Sequence, residues 1–591
     1  MLAALPHYSL AAVPWNDVNI LIVTDVHSWI AGHPHPDHDP ALDAGYGHVL
    51  SLHEHLSAAA AANGRDLFLV QNGDLNDGTG FSRKPPAALV PLLQRMPFDA
   101  LTTGNHELYE NENIDYIAQP GGFINSWRGS YLTSNTLNAS TGAHLGASHK
   151  LLIGRASGVR LLAFGFLYDM TNHDDHVTVT PVEEVVRQAW FLAALNATHQ
   201  YDALLFLTHM GYADPLVDML LAASRAVVGE AVPILFVTGH THVRAYRALD
   251  AHAAAYEAGH YLDTVGFASF ALAPSPPNAS FAHMNIDANR AVMAAAANLT
   301  GPDALMTPAG AALQNEITRT ASDLGLDQRL GCAPRTYATH APFASNASLW
   351  RLYLREVTVQ AALGGNTSRI AIQTTGSLRY DLYAGPVTSN DVWTMCPFAD
   401  RYWRVAPAVS GDDMQAVMSA LHAHAPDTPS SDSRLPAYAA TSTPESSRVY
   451  ELWTVDFNLA AVTRAYEAQT GGRASPVRML EGRTSTDLWM AWVPRAWPCS
   501  SAGTGAVDGD MSDDQSLPLP LLMSLVTIVM AVVFLALLTL LLLLRGRLCT
   551  RRAAPLQSVR FVDAAGGVTT PTKAASPSAV EMPVVGGSTS V

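Results

Sequence analysis

Five times in this 591-residue chain a short apolar run ends in residues of metal-ligand type. Asn19-Ile20-Leu21-Ile22-Val23-Thr24 ends in Asp25-Val26-His27. Asp66-Leu67-Phe68-Leu69-Val70 leads to Gly73-Asp74, and Phe98-Asp99-Ala100-Leu101 leads to Gly104-Asn105-His106-Glu107. Ala203-Leu204-Leu205-Phe206-Leu207-Thr208 ends in His209, and Pro233-Ile234-Leu235-Phe236-Val237 leads to Gly239-His240-Thr241-His242. Continuous apolar runs bounded by turn residues read as strands buried on both faces. In open α/β sheets ligands sit beyond the carboxyl ends of such strands. The five polar tips are therefore expected on one rim.

Each motif alone is weak. Asp-x-His is common, Gly-Asp-x-Asn-Asp is ordinarily a turn, and a lone His209 is ordinarily a core histidine. The ordered set of five is specific. Its Asp, Asn and His donors suit Zn, Mn, Fe or Mg rather than thiolate-loving ions. They exceed what one site needs, and a carboxylate can bridge two ions. Two divalent ions about 3.5–4 Å apart clamp the attacking and leaving oxygens of a phosphoryl displacement and generate hydroxide near neutral pH.

The rest of the chain sets the context. Its formal net charge of −16 excludes a polyanion binder that works by a basic surface, so no nucleic-acid polymer is expected as partner. Four cysteines without CxxC spacing argue against structural zinc. One disulfide among Cys332, Cys396 and Cys499 is possible, its pairing unreadable. For Cys396, within Met395-Cys396-Pro397-Phe398, a buried thiol is an equal reading.

Leu521 to Leu544 is long and apolar enough for one transmembrane helix. Acidic residues precede it and Arg545, Arg547, Arg551 and Arg552 follow, so the tail from 545 to 591 is expected in the cytosol and the large N-terminal part in the lumen or outside. Asn138, Asn196, Asn278, Asn298, Asn346 and Asn366 each begin an Asn-x-Ser/Thr sequon on that side. Met1 to Trp15 does not resemble a signal peptide, lacking a basic start and broken by Pro6 and Pro14. A start upstream of Met1 reconciles the two better than a tail anchor facing the cytosol.

Alternation of strand and helix patterns marks residues 18–275 as an α/β domain, with helices at His48 to Asn63 and Val182 to Ala197. A helical linker is expected over 276–329. A second, α+β domain is expected over 330–498, with a helix at Ser348 to Ala362, strands at Arg369 to Thr374 and Leu488 to Val493, and partial disorder over Ala406 to Ser447. A polar stalk (500–516), the span (521–544) and a disordered tail (545–591) complete the plan. His33, His35, His38 and His48 read as a solvated loop near the rim.

The five-motif set resembles the calcineurin-like metallophosphoesterase superfamily over about 18 to 270. The resemblance implies a four-layer α/β/β/α sandwich. Asp25, His27 and His242 would hold one metal, Asn105, His209 and His240 the other, and Asp74 would bridge them. His106 would protonate the leaving oxygen or stabilise the transition state. Tyr261-Leu262-Asp263-Thr264-Val265-Gly266-Phe267 is similar to the strand closing the catalytic domain of 5′-nucleotidases. Gly376-Ser377-Leu378-Arg379, Gly385-Pro386-Val387-Thr388, Asp391-Val392 and Pro397-Phe398 look like their C-terminal domain, which binds the nucleotide and closes onto the metals. Arg379, and Asn105 from the metal side, would then contact the substrate phosphate. Three departures stand out. Tyr109 replaces the acidic residue that nucleotidases place three positions after the catalytic His. Thr374 and Thr375 replace an Asn, and no Gly-Gly-Asp segment with a base-clamping aromatic is visible.

The leading expectation is a membrane-anchored hydrolase of small phosphomonoesters, nucleotides first, by attack of a metal-bound hydroxide. A phosphodiesterase or sphingomyelinase-like enzyme, and a non-catalytic surface binding protein on the same scaffold, are the alternatives.

Overall fold

A computed structural model describes residues 12–33, 42–197, 200–272, 281–423 and 436–499. Two six-stranded sheets form the first domain. The first runs Phe281–Asp287, Thr264–Phe270, Val18–Val23, Phe68–Asn72, Ala100–Thr102, Tyr131–Leu132. The second runs Arg244–Asp250, Ala253–Ala258, Ile234–Thr238, Ala203–His209, Arg160–Leu167, His149–Ile153. The central strands of each are parallel, and antiparallel strands close one edge of the first sheet and both edges of the second.

The uninterrupted apolar runs arise because every central strand is covered twice. Ile20, Ile22 and Val70 point into a core shared with Leu205, Leu207, Leu235 and Val237 of the other sheet. Their alternate neighbours Leu21, Val23 and Leu69 pack outward under the helix Tyr46–Ala62. On the far side Leu204, Phe206, Ile234 and Phe236 pack under helices that include Pro215–Val228. The result is helix, sheet, sheet, helix, the expected four layers. The five motif-bearing runs do not share one sheet. Three lie in the first and two in the second, so the rim is the common edge of two facing sheets.

The segment expected as a linker is part of this domain. Phe281–Asp287 extends the first sheet, pairing antiparallel with Thr264–Phe270. The helices Arg290–Ala296 and Pro308–Asp323 bury Val292, Met293, Leu313 and Ile317 in the core of its outer face. The second of them crosses Tyr46–Ala62 closely enough that a Cβ on Gly47 would lie 2.5 Å from the Gly310 carbonyl oxygen.

In the second domain five strands run in the order Tyr438–Ala440, Arg369–Thr374, Val449–Val455, Tyr402–Ser410, Val477–Arg478, with helices on both faces. Leu488 to Val493 is not a strand but lies within the helix Ser485–Ala496. Leu488, Trp489, Trp492 and Val493 are its buried apolar positions, a spacing that fits one helix face rather than alternation, and Thr484 with Asp487 forms a capping box at its start. The stretch from Ala406 is likewise ordered as far as it is described, through the strand Tyr402–Ser410 and the helix Gly411–Ala423. The expected helix over Val182 to Ala197 is two, Val182–Val185 and Ala189–Asn196.

Cys332 and Cys499 form a disulfide that ties the end of the described chain to the strand Arg329–Ala333, and Cys396 is a buried free thiol. The stalk, the apolar segment Leu521 to Leu544 and the tail lie outside the described residues, as do His35 and His38. Among the described residues no helix is long and apolar enough to cross a membrane.

Candidate metal centre

Each candidate ligand stands at or just beyond a strand end. Asp25 and His27 follow Val18–Val23, Asp74 follows Phe68–Asn72, and Asn105 and His106 follow Ala100–Thr102. His209 ends Ala203–His209, and His240 and His242 follow Ile234–Thr238. The fold brings all seven metal candidates and His106 together. Asp25, His27, Asp74 and His242 offer ligand atoms within 4.8 Å of one another, as do Asp74, His209 and His240. Asp74 belongs to both groups. Asn105 joins the second, its Oδ1 lying 3.0 Å from His209 Nε2.

The backbone is bent to achieve this. Asp25, His27, Asp74, His240 and His242 have φ of 49°, 46°, 52°, 74° and 60°. For a residue with a Cβ this left-handed conformation costs about 1–2 kcal/mol. Such a concentration of strained residues at one rim marks a site that the surrounding structure holds in place. Backbone bonds lace the loops together. His27 donates its N–H to the Asp74 carbonyl at 2.9 Å, and the His240 N–H donates to Asp25 Oδ1 at 2.9 Å. Gly73 is required by packing, since a Cβ there would lie 2.6 Å from Gly104 N and 2.7 Å from His209 Nδ1.

Two buried carboxylates brace the loops from behind. Glu107 accepts from the backbone N–H groups of Asp74, Leu75 and Gly104 at 3.0, 2.8 and 2.7 Å. Glu257 accepts from the Thr241 hydroxyl at 2.8 Å and from the Tyr212 and Val243 N–H groups at 3.2 Å. Sequence reasoning passed over both as functional residues. The signal for Glu257 was a single charge in the otherwise apolar Ala253–Ala258 strand.

The donor set fits divalent cations. His27 and His209 direct Nδ1 at the Asn76 and Asn72 carbonyls, both at 2.8 Å, which leaves Nε2 facing the centre. Burial, above all, holds His27 and His242 well below the usual histidine range and His240 down to about 3. These imidazoles are therefore neutral at pH 7, the form that binds metal. Burial also pushes the Asp25 carboxyl up to about 8, against the pull of His209. For Asp74 burial acts the same way, but the charges on His209 and His106 outweigh it and keep this carboxyl well below the usual range. Burial disfavours the His209 cation, yet Asp74 and Asp25 overcome it and raise its pKa to about 10. Two adjacent buried carboxyls thus draw positive charge into the rim, a demand that divalent ions meet more fully than one imidazolium.

His106 has an acidic partner, from a different place in the chain than Tyr109. Its Nδ1 lies 3.0 Å from Asp77 Oδ2. Asp77 is the last residue of Gly73-Asp74-Leu75-Asn76-Asp77, so the turn-like motif supplies both a candidate bridging carboxylate and this partner. Tyr109 instead accepts a hydrogen bond from Asn105 Nδ2 at 2.9 Å and meets the His106 ring edge-on at 5.2 Å. That bond fixes the Asn105 amide with its oxygen toward His209.

The second domain covers the rim. Phe398 stacks on His106 at 5.8 Å, and Phe457 meets Tyr109 edge-on at 5.8 Å. Arg379 sits between the domains, half-buried, with its guanidinium 5.7 Å from the Phe398 ring centroid and its Nε donating to the Tyr261 hydroxyl at 3.0 Å. Tyr261 in turn meets the His27 ring at 5.3 Å. Of the histidine-rich stretch, His33 lies between the Tyr380 hydroxyl and the Tyr261 carbonyl, and His48 accepts from the Gly45 N–H at the start of its helix.

Comparison with known proteins agrees with this anatomy. Residues 18–244 match the calcineurin-like phosphoesterase family, and residues 336–488 match the NAD nucleotidase C-terminal domain. An uncharacterised protein of Schizosaccharomyces pombe is 27% identical over 434 residues, 67% of this chain and 70% of its own. A protein of Arthroderma benhamiae described as secreted is 26% identical over 438 residues, 66% of this chain and 65% of its own. The crystal structure of a 5′-nucleotidase from Candida albicans superposes with a TM-score of 0.73 at 24% identity, covering 82% of this chain and 99% of that one. A 5′-nucleotidase precursor from Thermus thermophilus gives 0.59 at 16% identity, covering 83% and 98%. The chain joins a calcineurin-like metallophosphoesterase domain to a C-terminal domain of the NAD nucleotidase type, and is a metal-dependent phosphoric ester hydrolase.

Proposed function

We propose that the protein hydrolyses small phosphomonoesters, nucleotides first, at a pair of divalent ions held by Asp25, His27, Asp74 and His242 and by Asp74, Asn105, His209 and His240. The observation that carries this reading is the sharing of Asp74 between the two donor groups. Bound divalent ions would supply a water of lowered pKa and neutralise the phosphoryl oxygens. The chain's own residues do the rest. His106, oriented by Asp77, stands at the rim to give a proton to the leaving oxygen or to hydrogen-bond the phosphoryl group. The second domain excludes water over it through Phe398, and Arg379 faces the rim as a phosphate ligand. The nucleotidase names of the matched domain and of the structural neighbours support nucleotides as the substrate class. The test is a panel of nucleoside monophosphates, a dinucleotide, sugar phosphates and phosphocholine lipids, with and without chelator. Nucleotide turnover that chelation abolishes and Zn, Mn, Fe or Mg restores is the expected result. Lipid turnover alone would move the reading to a sphingomyelinase-like enzyme, and no turnover of any ester to a binding protein.

Arg379→Lys should raise KM for a phosphomonoester roughly tenfold or more, since one charge-assisted hydrogen bond contributes about 1.5–3 kcal/mol and Lys cannot reproduce the two-pronged grip. A structural ion pair with Asp381 is not what holds this arginine. Asp381 instead accepts from the Thr339 N–H and hydroxyl, both at 2.7 Å. Unchanged KM in a folded variant would remove Arg379 from the substrate site.

We also propose a lumenal or extracellular catalytic part, anchored through Leu521 to Leu544. The Cys332–Cys499 disulfide supports an oxidising compartment. So do the exposed sequon asparagines Asn196, Asn298, Asn346 and Asn366, which a glycosyltransferase could reach. A glycosidase should shift the gel mobility of the native protein; an unshifted band, with the large domain cleaved by protease from the cytosolic side, would place it in the cytosol.

A further inference from the structure

The loop that carries Asp77 to His106 is also the loop on which the second domain sits. The Gly80 N–H donates to Asn390 Oδ1 at 3.1 Å, and a Cβ on Gly80 would lie 2.2 Å from Leu326 and 3.1 Å from Trp393. The Arg83 guanidinium covers the Trp393 ring at 5.3 Å. Lys84 follows. Its Nζ lies 2.6 Å from Glu110 and 3.8 Å from Asp77 Oδ1, with only 17% of the side chain exposed. A buried lysine among carboxylates fixes the geometry of every group it touches, because moving away leaves a charge unpaired. Asp77 is the group that decides where the His106 ring points.

We propose that Lys84 is a positioning residue of the reaction: beside Glu110 it holds Asp77, and through it His106, on a loop that Gly80 and Arg83 fasten to Asn390 and Trp393 of the second domain, so that the catalytic histidine is held in place while that domain is seated. The inference rests on the phosphoesterase reading above. It assigns Lys84 a task that neither substrate binding nor metal binding requires. The same seating brings Phe398 onto the outer face of His106, so both contacts that restrain the ring depend on one interdomain surface.

The experiment compares full-chain wild type with Lys84→Met, Lys84→Arg and His106→Ala on an aryl phosphate and on the best nucleotide, with metal content measured for each. Lys84→Met should lower kcat roughly 10- to 100-fold, part of the roughly 10²–10⁴-fold that a positioned acid contributes, with KM within about twofold and metal content unchanged. Lys84→Arg should recover most of it. In the His106→Ala background Lys84→Met should cost little more, because the two act as one unit. Unchanged kcat overturns the inference. So does a rise in KM at constant kcat, loss of metal, or an undiminished effect when His106 is absent. Should Lys84→Met not fold, Lys84→Gln is read against the same outcomes, and a kcat within about twofold of wild type overturns the inference. A wild-type protein that hydrolyses no phosphate ester with any metal defeats the functional reading itself. An active wild type with a crippled His106→Ala and an unaffected Lys84→Met defeats only the role of Lys84.

Discussion

Asp74→Asn should abolish nearly all turnover and reduce bound metal from two ions per chain to one or fewer. The expected fall in kcat is on the order of 10³-fold or more, since removing one group that organises transition-state charge costs roughly 10²–10³ by itself. Asp74 does several things at once. It belongs to both donor groups, so it would fix the spacing of the two ions. Its Oδ1 accepts from the His106 N–H at 3.0 Å, which ties the His106 backbone to the same carboxylate. Asn preserves shape and one oxygen, so the fold should survive and the loss can be read as chemistry. Metal analysis and steady-state kinetics on the same preparation give the result. A variant with near wild-type kcat, or a wild type that is fully active with one ion per chain, would refute the bridging role.

The ligand set was legible in the sequence because sheets buried on both faces leave a plain mark. Ile20, Leu21, Ile22 and Val23 are all apolar since alternate side chains enter two different cores, and the first polar residues after them must lie at the rim. That logic located every strand end but could not divide them between two sheets, because a run covered on both faces reads the same in either. Residues that act by reaching across the fold were harder. Asp77 looked like a turn residue, and only the folded loop brings it to His106. Glu107 and Glu257 bond to backbone groups, and no side-chain motif announces that. Arg379 was found by resemblance alone, since its place beside Tyr261 and Phe398 depends on how the second domain sits. In that domain the short apolar run Leu488 to Val493 reads as a strand only when it is taken without its cap. Thr484 and Asp487, three residues apart, were the evidence for a helix.

His106→Ala should lower kcat roughly 10²–10⁴-fold while both ions stay bound. The ring is adjacent to Asn105 in sequence but is used differently. Its Nδ1 is engaged by Asp77 rather than aimed at the donor cluster, which leaves Nε2 for the substrate. Removing the ring therefore removes a proton donor or hydrogen-bond partner without removing a metal contact. Asp77→Asn should show a smaller loss of the same kind. An amide can still occupy the position, but it neither fixes the tautomer through a carboxylate nor stabilises the imidazolium. The pair separates acid catalysis from scaffolding. Scaffolding would show as metal loss or a lowered unfolding temperature in both variants. Acid catalysis would show as a loss that shrinks for substrates whose leaving group needs no proton, such as an activated aryl phosphate against a nucleotide's ribose hydroxyl. If His106→Ala lost metal, His106 would belong with the ligands; equal losses on both substrates with metal retained would assign it to the phosphoryl group, and the proton for the leaving oxygen would have to come from elsewhere on the rim.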